Sequence, residues 1–288
     1  MLVKRIGLLF LTLILSLAIW GCGGEVQVPP GSGLSQAEVD QIVASAITAN
    51  DGISTAKFDM NMPLTLTVAG GTEPGTMTAT VDASGAVDAA DRELQMTMDI
   101  AADIPGQGAQ TMNIEGYLTG GWLYVGIATT GEAKQWATMQ LTDDLWQQEN
   151  PVSQQMDVLK TALDVAYGGT ETVNGVECYR FDVQADLGTM LKLLSQQQST
   201  TGIDFSQILD LSSVFKETSV KMWVAKYGYL LMKAQVHMLL DITPADLGAT
   251  ADDFTGMTME MDMTMNLSDY GQPVTVTVPP EALDAQEI

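Results

Sequence analysis

The sequence predicts an α+β fold built mainly of antiparallel β-strands, and three observations support this prediction. Apolar and polar residues alternate through several long segments, and a period of two places apolar side chains on one face of a strand. Gly120-Gly121 and Asn174-Gly175 are turn signals between such segments. Segments with helical spacing are fewer. We therefore expect a single sheet-based domain with roughly eleven strands and about three or four helices.

The first 21 residues have the composition of a bacterial export signal. Lys4 and Arg5 precede an apolar run of 14 residues, from 6 to 19, which is shorter than the roughly 20 residues that span a bilayer. The sequence IWGC at residues 19 to 22 resembles the lipobox of bacterial lipoproteins, in which the cysteine becomes the acylated first residue. An uncleaved signal anchor is the alternative. Either way, we expect an exported protein held on the extracytoplasmic face of the cell envelope.

The expected signal peptide, anchor and folded domain divide the chain into three parts. Residues 1–21 are the signal peptide, residues 22–34 are the lipid anchor and a flexible tether rich in Gly and Pro, and residues 35–288 form a single domain. Cys22 is the predicted site of lipid attachment. Only Cys178 remains as a second cysteine, so acylation of Cys22 leaves no pair for a disulfide within the chain.

The net charge excludes one class of partner. The chain has 12 basic and 36 acidic residues, which gives a formal net charge of −24 at pH 7. A surface of this sign repels phosphate backbones, so we expect no nucleic-acid partner. It also disfavours attraction to anionic lipid headgroups, and membrane attachment is therefore expected through the N-terminal lipid anchor. The sequence does not identify protein partners.

The predicted elements begin with an amphipathic helix over residues 36 to 49. Ser35 and Glu38 have the spacing of a capping box, and apolar residues follow at helical spacing. Alternating segments then predict strands on both sides of the middle region. These strand segments are 56–68, 77–82, 94–104, 112–118, 122–128, 136–141 and 257–267.

The middle of the chain mixes helical and strand signals. Apolar stripes predict helices over residues 152 to 166, 186 to 197 and 205 to 213. Asn174-Gly175 predicts a tight hairpin, because both residues tolerate positive φ. A second hairpin is expected between residues 220–223 and 229–242.

The order of these elements resembles a known family. The helix ending in TAKF, the hairpin VNGVECYRFDV, the strand pair VKMWVAKYGYLLMKAQV and the closing SDYGQPVTVTVP are similar to the LolA-like lipoproteins of the LppX and LprG type. The resemblance covers about residues 35 to 280. It implies a curved antiparallel half-barrel whose concave, apolar face is covered by helices, and it implies that lipids or acyl chains are carried in the space between.

Methionine-rich strands supply the candidate ligand cavity. Methionine is unbranched and polarizable, so a methionine lining accommodates acyl chains of differing length. The alternative is a filled core, because buried apolar stripes usually belong to a core. The candidate cavity residues are Phe58, Met60, Met62, Leu64, Met96, Met98, Met259, Met261 and Met263.

Catalytic and metal sites find little support in the sequence. His237 is the only histidine and is out of phase with the apolar residues of its strand, so we expect it to be a solvated strand residue. Repeated Met-x-Met pairs are compatible with Cu(I), but these methionines share their face with Leu, Ile and Val. Cys178 has no activating partner in the sequence, and Gly-rich phosphate loops are absent from the sequence. The expectation is a protein without enzymatic activity, metal or cofactor.

Two hypotheses for the function remain. One is an envelope lipoprotein that binds or carries lipids in a methionine-rich cavity under a helical lid. The other is a structural or interaction module of the envelope that has the same fold and a filled core.

Overall fold

The structure is a computed structural model that describes residues 33–70, 74–106, 108–142, 159–160, 162–185, 214–244 and 255–287. Two helices and twelve strands lie in these ranges. The helices are α1 (Gln36–Asp51) and α2 (Pro280–Leu283). The strands are β1 (Thr55–Ala69), β2 (Gly75–Asp88), β3 (Glu93–Ile104), β4 (Gly108–Thr119), β5 (Trp122–Thr129), β6 (Gln135–Gln140), β7 (Ala162–Val173), β8 (Val176–Ala185), β9 (Phe215–Ala225), β10 (Leu231–Ile242), β11 (Gly256–Ser268) and β12 (Gln286–Glu287).

All twelve strands belong to one open sheet with the order β12-β6-β5-β4-β3-β2-β1-β11-β10-β9-β8-β7. Strands β1 to β6 form one meander and β7 to β11 form a second, and the pairing of β1 with β11 joins them. Every pairing is antiparallel except that of β12 with β6. The predicted antiparallel architecture and its roughly eleven strands are therefore confirmed, with β12 as a short parallel addition.

Helix α1 begins at the predicted capping box. The backbone N–H of Ser35 donates to Oε2 of Glu38 at 2.7 Å, and this hydrogen bond holds the pKa of Glu38 below its ordinary value. Val39, Ile42 and Ala46 form the buried stripe of the helix and pack into the same apolar cluster as the strands. The predicted helix over residues 36 to 49 is confirmed.

The C-terminal end of α1 is tied to the sheet by a buried amide. Asn50 donates from Nδ2 to the carbonyl oxygens of Ala46 at 2.7 Å and Tyr229 at 3.1 Å, and its Oδ1 accepts from the N–H of Leu231 at 3.2 Å. The side chain is almost fully buried, and the bonds to Ala46 and Leu231 are buried while the bond to Tyr229 is partly buried. Asn50 therefore fixes the end of the helix against the turn between β9 and β10.

One predicted helix is partly wrong. The apolar stripe over residues 152 to 166 continues into Ala162–Val173, and this segment is strand β7. Leu159 and Lys160 are helical, whereas Val165 pairs with Val183 and Tyr167 pairs with Phe181. The turn at Asn174-Gly175 places this segment beside β8. Pairing with β8 therefore outweighs the helical spacing of the apolar residues in this segment.

Several other predictions fall outside the described residues. These are the signal peptide, Cys22 and most of the tether, residues 152 to 158 of the helix above, and the helices over residues 186 to 197 and 205 to 213.

The sheet has one apolar and one polar face. Alternation along β1 places Phe58, Met60, Met62 and Leu64 on the apolar face, where all four side chains are buried. The residues between them are exposed. The same alternation runs through β9, β10 and β11, so the apolar face extends across the junction of the two meanders.

Glycines make room for large side chains on the apolar face. Gly85 lies directly opposite Phe58, and a Cβ on Gly85 would lie 2.6 Å from Cζ of the ring and 2.4 Å from the carbonyl oxygen of Gln95. Gly116 lies opposite Met96, but its Cβ would approach only the flexible methionine chain, at 3.3 Å. The ring of Phe58 therefore needs a glycine on β2, whereas Met96 tolerates a small side chain on β4.

We expect Asn50→Ala to lower the free energy of unfolding by about 1 to 3 kcal/mol, because it removes the side-chain partner of the buried N–H of Leu231 and of the partly buried carbonyl of Tyr229. The measurement is urea denaturation. The matched control is Ser45→Ala on the same helix, which removes one exposed hydrogen bond to the carbonyl of Gln41 and should change stability by less than about 0.5 kcal/mol. Equal effects of the two substitutions would show that α1 is not held at Asn50.

We expect Gly85→Ala to lower the free energy of unfolding by about 1 to 3 kcal/mol through overpacking against Phe58 and the β3 backbone. Gly116→Ala is the control with the same added methyl group, and it should be close to neutral because Met96 can rotate away. Thermal unfolding of the two variants gives the comparison. If Gly85→Ala were as stable as Gly116→Ala, the contact between Phe58 and Gly85 would be looser than described.

Candidate functional site

The structure brings the predicted cavity residues together on the apolar face of the sheet. They belong to β1, β3 and β11, and all except Met96 are buried with at most 9% of the residue exposed. Met96 is half-buried and packs against the same cluster. These residues share the apolar face of the sheet, and their role as the lining of a ligand cavity stays a prediction.

Strand register groups methionines of four adjacent strands into a belt on the apolar face. Met60 pairs with Met265 across β1 and β11, and Met261 pairs with Met238 across β11 and β10. Met222 on β9 lies opposite Ala234 on β10, and Ala234 in turn pairs with Met265. The belt therefore consists of two nearby rows, and Ala234 interrupts the row that ends at Met222.

The belt contains residues that the predicted set omitted. These are Met222, Met238, Met265 and Leu267, each with no more than 1% of its surface exposed. The alternation of apolar residues along 257–267 already contained Met265 and Leu267, but the part played by β9 and β10 follows only from the strand order. A set of cavity residues predicted from individual strands therefore omits the residues that β9 and β10 contribute to the same face.

Two open clefts lie on the opposite, polar face. The first has a volume of about 260 Å³, and its lining combines Lys57, Gln95 and Tyr117 with Phe58 and Met96 of the candidate set. The second has a volume of about 310 Å³ and is lined mainly by Asp, Asn and Thr, together with Met60. Both clefts are therefore lined by polar as well as apolar residues.

A row of amides and carboxylates crosses the floor of the second cleft. Asp82 and Asp99 are direct cross-strand partners, and like charges in that position repel one another. Asn61 donates to Asp82 at 2.7 Å and Asn113 donates to Asp99 at 2.8 Å. The flanking amides thus offset part of the repulsion between the two aspartates.

His237 lies on the polar face, as expected, in a row with Ser219 and Asp262. Its Nδ1 lies 2.9 Å from Oδ1 of Asp262, and its Nε2 lies 4.0 Å from Oε2 of Glu217. The order Ser-His-Asp invites comparison with a hydrolase triad. Within the described ranges, however, the hydroxyl of Ser219 makes no hydrogen bond to His237.

A triad at this position would also lack an oxyanion hole formed by the backbone. Strands β9, β10 and β11 each have a neighbour on both sides, so their N–H groups near the row point along the sheet into ladder bonds. Oxyanion stabilisation needs donors aimed at the reacting carbonyl oxygen. The row therefore does not have the arrangement of an acyl-transfer site.

Cys178 is a structural cysteine. It is fully buried in a small cluster with Val173, Trp223 and Met232, and burial raises the pKa of its thiol. A thiol reacts as the thiolate, so both effects make Cys178 inert in the folded protein.

Tryptophan and arginine fix a carboxylate beside this cluster. The indole N–H of Trp223 donates to Glu171 at 2.8 Å, and Arg180 forms an ion pair with the same carboxylate at 2.8 Å. These contacts hold the pKa of Glu171 below its ordinary value. Lys233 lies over the Trp223 ring at 4.6 Å, so the few cations of this region are engaged within the fold.

Among the described helices, none has both the length and the apolar composition that crossing a bilayer would require.

Two solved structures are similar to this chain. One is the crystal structure of LprF from Mycobacterium bovis, with 12% identity and a TM-score of 0.46, over 86% of this chain and 99% of that chain. The other is the crystal structure of the Mycobacterium tuberculosis lipoprotein LppX, with 12% identity and a TM-score of 0.40, over 84% of this chain and 100% of that chain. The predicted resemblance to proteins of the LppX type is confirmed.

Sequence comparison identifies a family. No curated protein matches the chain. The model of DUF6612, described as a family of unknown function, matches residues 38–287. This match includes nearly all of α1 and every strand of the sheet, and the chain belongs to the DUF6612 family.

Proposed function

We propose that this protein is an envelope lipoprotein that binds lipid acyl chains on the apolar face of its sheet. The observation that carries the proposal is the methionine belt across β1, β11, β10 and β9. A belt of this length is unusual for a core built only for stability, because methionine specifies a unique packing less well than Leu, Ile or Val.

Methionine suits an acyl ligand for a physical reason. Its side chain is unbranched and has three rotatable bonds, so neighbouring methionines can rearrange around an alkyl chain at little cost. Each methylene group removed from water contributes about 0.8 kcal/mol, and a chain of ordinary length gains substantial affinity without specific polar contacts. The belt therefore favours binding of the acyl part of a lipid over recognition of its headgroup.

A helical lid completes the proposed site. Helix α1 already packs Val39, Ile42 and Ala46 into the cluster that contains the belt. Residues 186 to 197 have the apolar spacing of a further amphipathic helix, as do residues 205 to 213. In the proposed arrangement these segments lie over the apolar face of one half-barrel domain, residues 35–288, and shield the ligand from water.

The proposed location is the extracytoplasmic face of a membrane. Residues 1–21 act as the export signal, Cys22 carries the acyl anchor, and the tether up to residue 34 lets the domain reach the bilayer surface. The strongly acidic composition keeps the domain away from nucleic acids and anionic headgroups. No catalytic step is part of this proposal.

A second candidate function is a non-carrier module of the envelope with a filled core. The observation that favours it is the complete burial of Met62 and Met261. In that case the methionines pack against one another and against the rest of the chain, and the protein acts through its surface.

Met261→Trp separates the two functions. We expect the natively purified parent to carry extractable lipid, detected by mass spectrometry, and to take up a fluorescent fatty acid. In Met261→Trp the indole occupies the ligand's space, so uptake should fall several-fold. The melting temperature should change little, because the neighbouring methionines can move aside.

Thr258→Trp is the matched control, since it places the same ring on the same strand but on the polar face. It should leave uptake unchanged. A filled core would give a different pattern: no lipid in the parent, and a loss of about 1 to 3 kcal/mol of stability in Met261→Trp through overpacking. That pattern would refute the lipid-binding proposal.

Acylation of Cys22 is tested independently. Intact-mass measurement of the membrane fraction should show acyl chains on a mature chain that begins at Cys22, and Cys22→Ala should release the protein from the membrane. Cys178 should remain unmodified because it is buried and its thiol pKa is raised. Firm membrane attachment of Cys22→Ala after signal cleavage would contradict the proposed anchor.

A further inference from the structure

We propose that a groove on the polar face of the sheet, above strand β2, is a binding site for a neutral oligosaccharide. The groove consists of the two open clefts, which are continuous because Asp59, Ser84 and Thr97 line both of them. It lies on the face opposite the methionine belt, and the inference is therefore independent of the proposed function.

Short side chains on β2 form the floor of the groove. Alternation along this strand places Asp82, Ser84 and Ala86 on the polar face. Longer side chains flank them, since Ala86 pairs with Lys57 on β1 and with Gln95 on β3. A row of short residues between longer neighbours is a trough, and the part from Asp82 to Ala86 extends for about 13 Å.

A fixed aromatic ring forms one wall of the groove. Tyr117 lines the first cleft and continues the same row, because it is the cross-strand partner of Gln95. Its hydroxyl donates to Glu115 at 3.3 Å, and its ring lies 6.1 Å from the ring of Trp136. Lys134 in turn pairs with Glu115. A ring that is already held by such contacts loses little conformational entropy when a ligand binds.

The position of Trp136 depends on a glycine in the neighbouring strand. Its ring lies over Gly126 on β5, where a Cβ would come within 2.7 Å of the indole. The missing side chain lets the indole lie against the sheet beside Tyr117. The aromatic wall of the groove is therefore positioned by the fold before any ligand binds.

Polar side chains of the groove have unused hydrogen-bonding capacity. Among the described residues, the side chains of Ser84, Gln95 and Thr97 have no hydrogen-bond partner. Gln95 is half-buried, and its amide offers two donors and an acceptor. The two hydroxyl groups also donate and accept. These side chains can therefore bind a ligand that carries many hydroxyl groups.

The combination of groups selects a saccharide. A sugar ring has an apolar C–H face, which packs on an aromatic ring, and hydroxyl groups around its edge, which pair with amides, hydroxyls and carboxylates. The first cleft supplies both kinds of contact, through Tyr117 on one side and Gln95 and Ser84 on the other. At the other end of the groove, Asn61 and Asp82 offer an amide and a carboxylate to a further sugar unit.

The charge of the groove favours a neutral ligand. Asp59, Asp82 and Asp99 line it, and Lys57 is the one cation in its described lining. This lysine is already paired with Asp269 at 2.7 Å. Phosphorylated and carboxylated ligands are therefore repelled.

Saturation-transfer difference NMR of the full chain tests the site, with the protein in a detergent that contains no sugar. The neutral probes are cellotriose, maltotriose and N,N′,N″-triacetylchitotriose, which differ in linkage and substituents. We expect the ring protons of at least one of them to receive saturation from the protein. Trigalacturonate, a trisaccharide with three carboxylates, should receive none.

A substitution in the floor locates the bound sugar, measured with the neutral probe that gives the largest signal. Ser84→Leu fills the trough and should abolish binding. Ser219→Leu is the matched control, because it introduces the same side chain at an exposed position of the polar face on β9, four strands away from β2. It should leave binding unchanged.

Two further variants test the walls. Gln95→Leu should weaken binding about two- to tenfold through loss of the amide. Tyr117→Leu should weaken binding by a similar factor through loss of the ring. Tyr227→Leu is the control for the second change, since this tyrosine is 86% exposed in the turn between β9 and β10. Circular dichroism confirms that each variant is folded.

Three results would overturn the proposal. One is the absence of saturation transfer to all three neutral trisaccharides. The second is equal binding by the parent and Ser84→Leu, which would place the sugar outside the groove. The third is stronger transfer to trigalacturonate than to any neutral probe, which would contradict the argument from charge.

Discussion

The pairing of β1 with β11 is the constraint on which the rest of the structure depends. It joins two meanders through contacts between residues about 190 to 210 apart in sequence, from Lys57 with Ser268 to Ala69 with Gly256. Closing a loop of this length is unfavourable in conformational entropy. Burial of apolar side chains along a long ladder of paired residues offsets that cost. Pro63 lies within this central strand, yet the register is the same on both sides of it, since Asn61 pairs with Thr264 and Leu64 with Met261. The extended apolar contact therefore holds the register where a proline interrupts the ladder.

This pairing also creates the candidate ligand surface. The methionines of β1 and β11 lie in opposite halves of the chain, and they become neighbours only when the two strands align. A slip of one residue would turn the whole set toward water, because the side-chain period is two. The pairings on either side place Phe58 over Gly85, through β1 and β2, and Met261 beside Met238, through β11 and β10. Stability and the proposed acyl-binding surface thus depend on the same register, and a filled core and a lipid cavity differ only in what occupies the space above it.

The two faces of the central strands have different chemistry. On β10, Met238 is buried among apolar side chains while His237, its neighbour in sequence, contacts Asp262 and faces Glu217. The same three strands therefore present an apolar surface on one side and a polar, charged surface on the other. Paired β-strands keep the two kinds of surface apart, because hydrogen bonds to a neighbour on each side leave the backbone little freedom to move.

The alternation in the sequence by itself determined the strands of the first meander, helix α1 and the apolar face, since a period of two or 3.6 is a local property. It also placed His237 on the polar face. The helical spacing before Ala166 gave a wrong prediction for the segment from Ala162, because pairing with β8 holds that segment as strand β7. Only the tertiary structure decided that β1 lies beside β11, that Met222 and Met238 extend the methionine belt, and that His237 meets carboxylates from two other strands. The physical reason is that strand order and register are set by contacts between distant segments, and no local pattern records which distant strand will supply them.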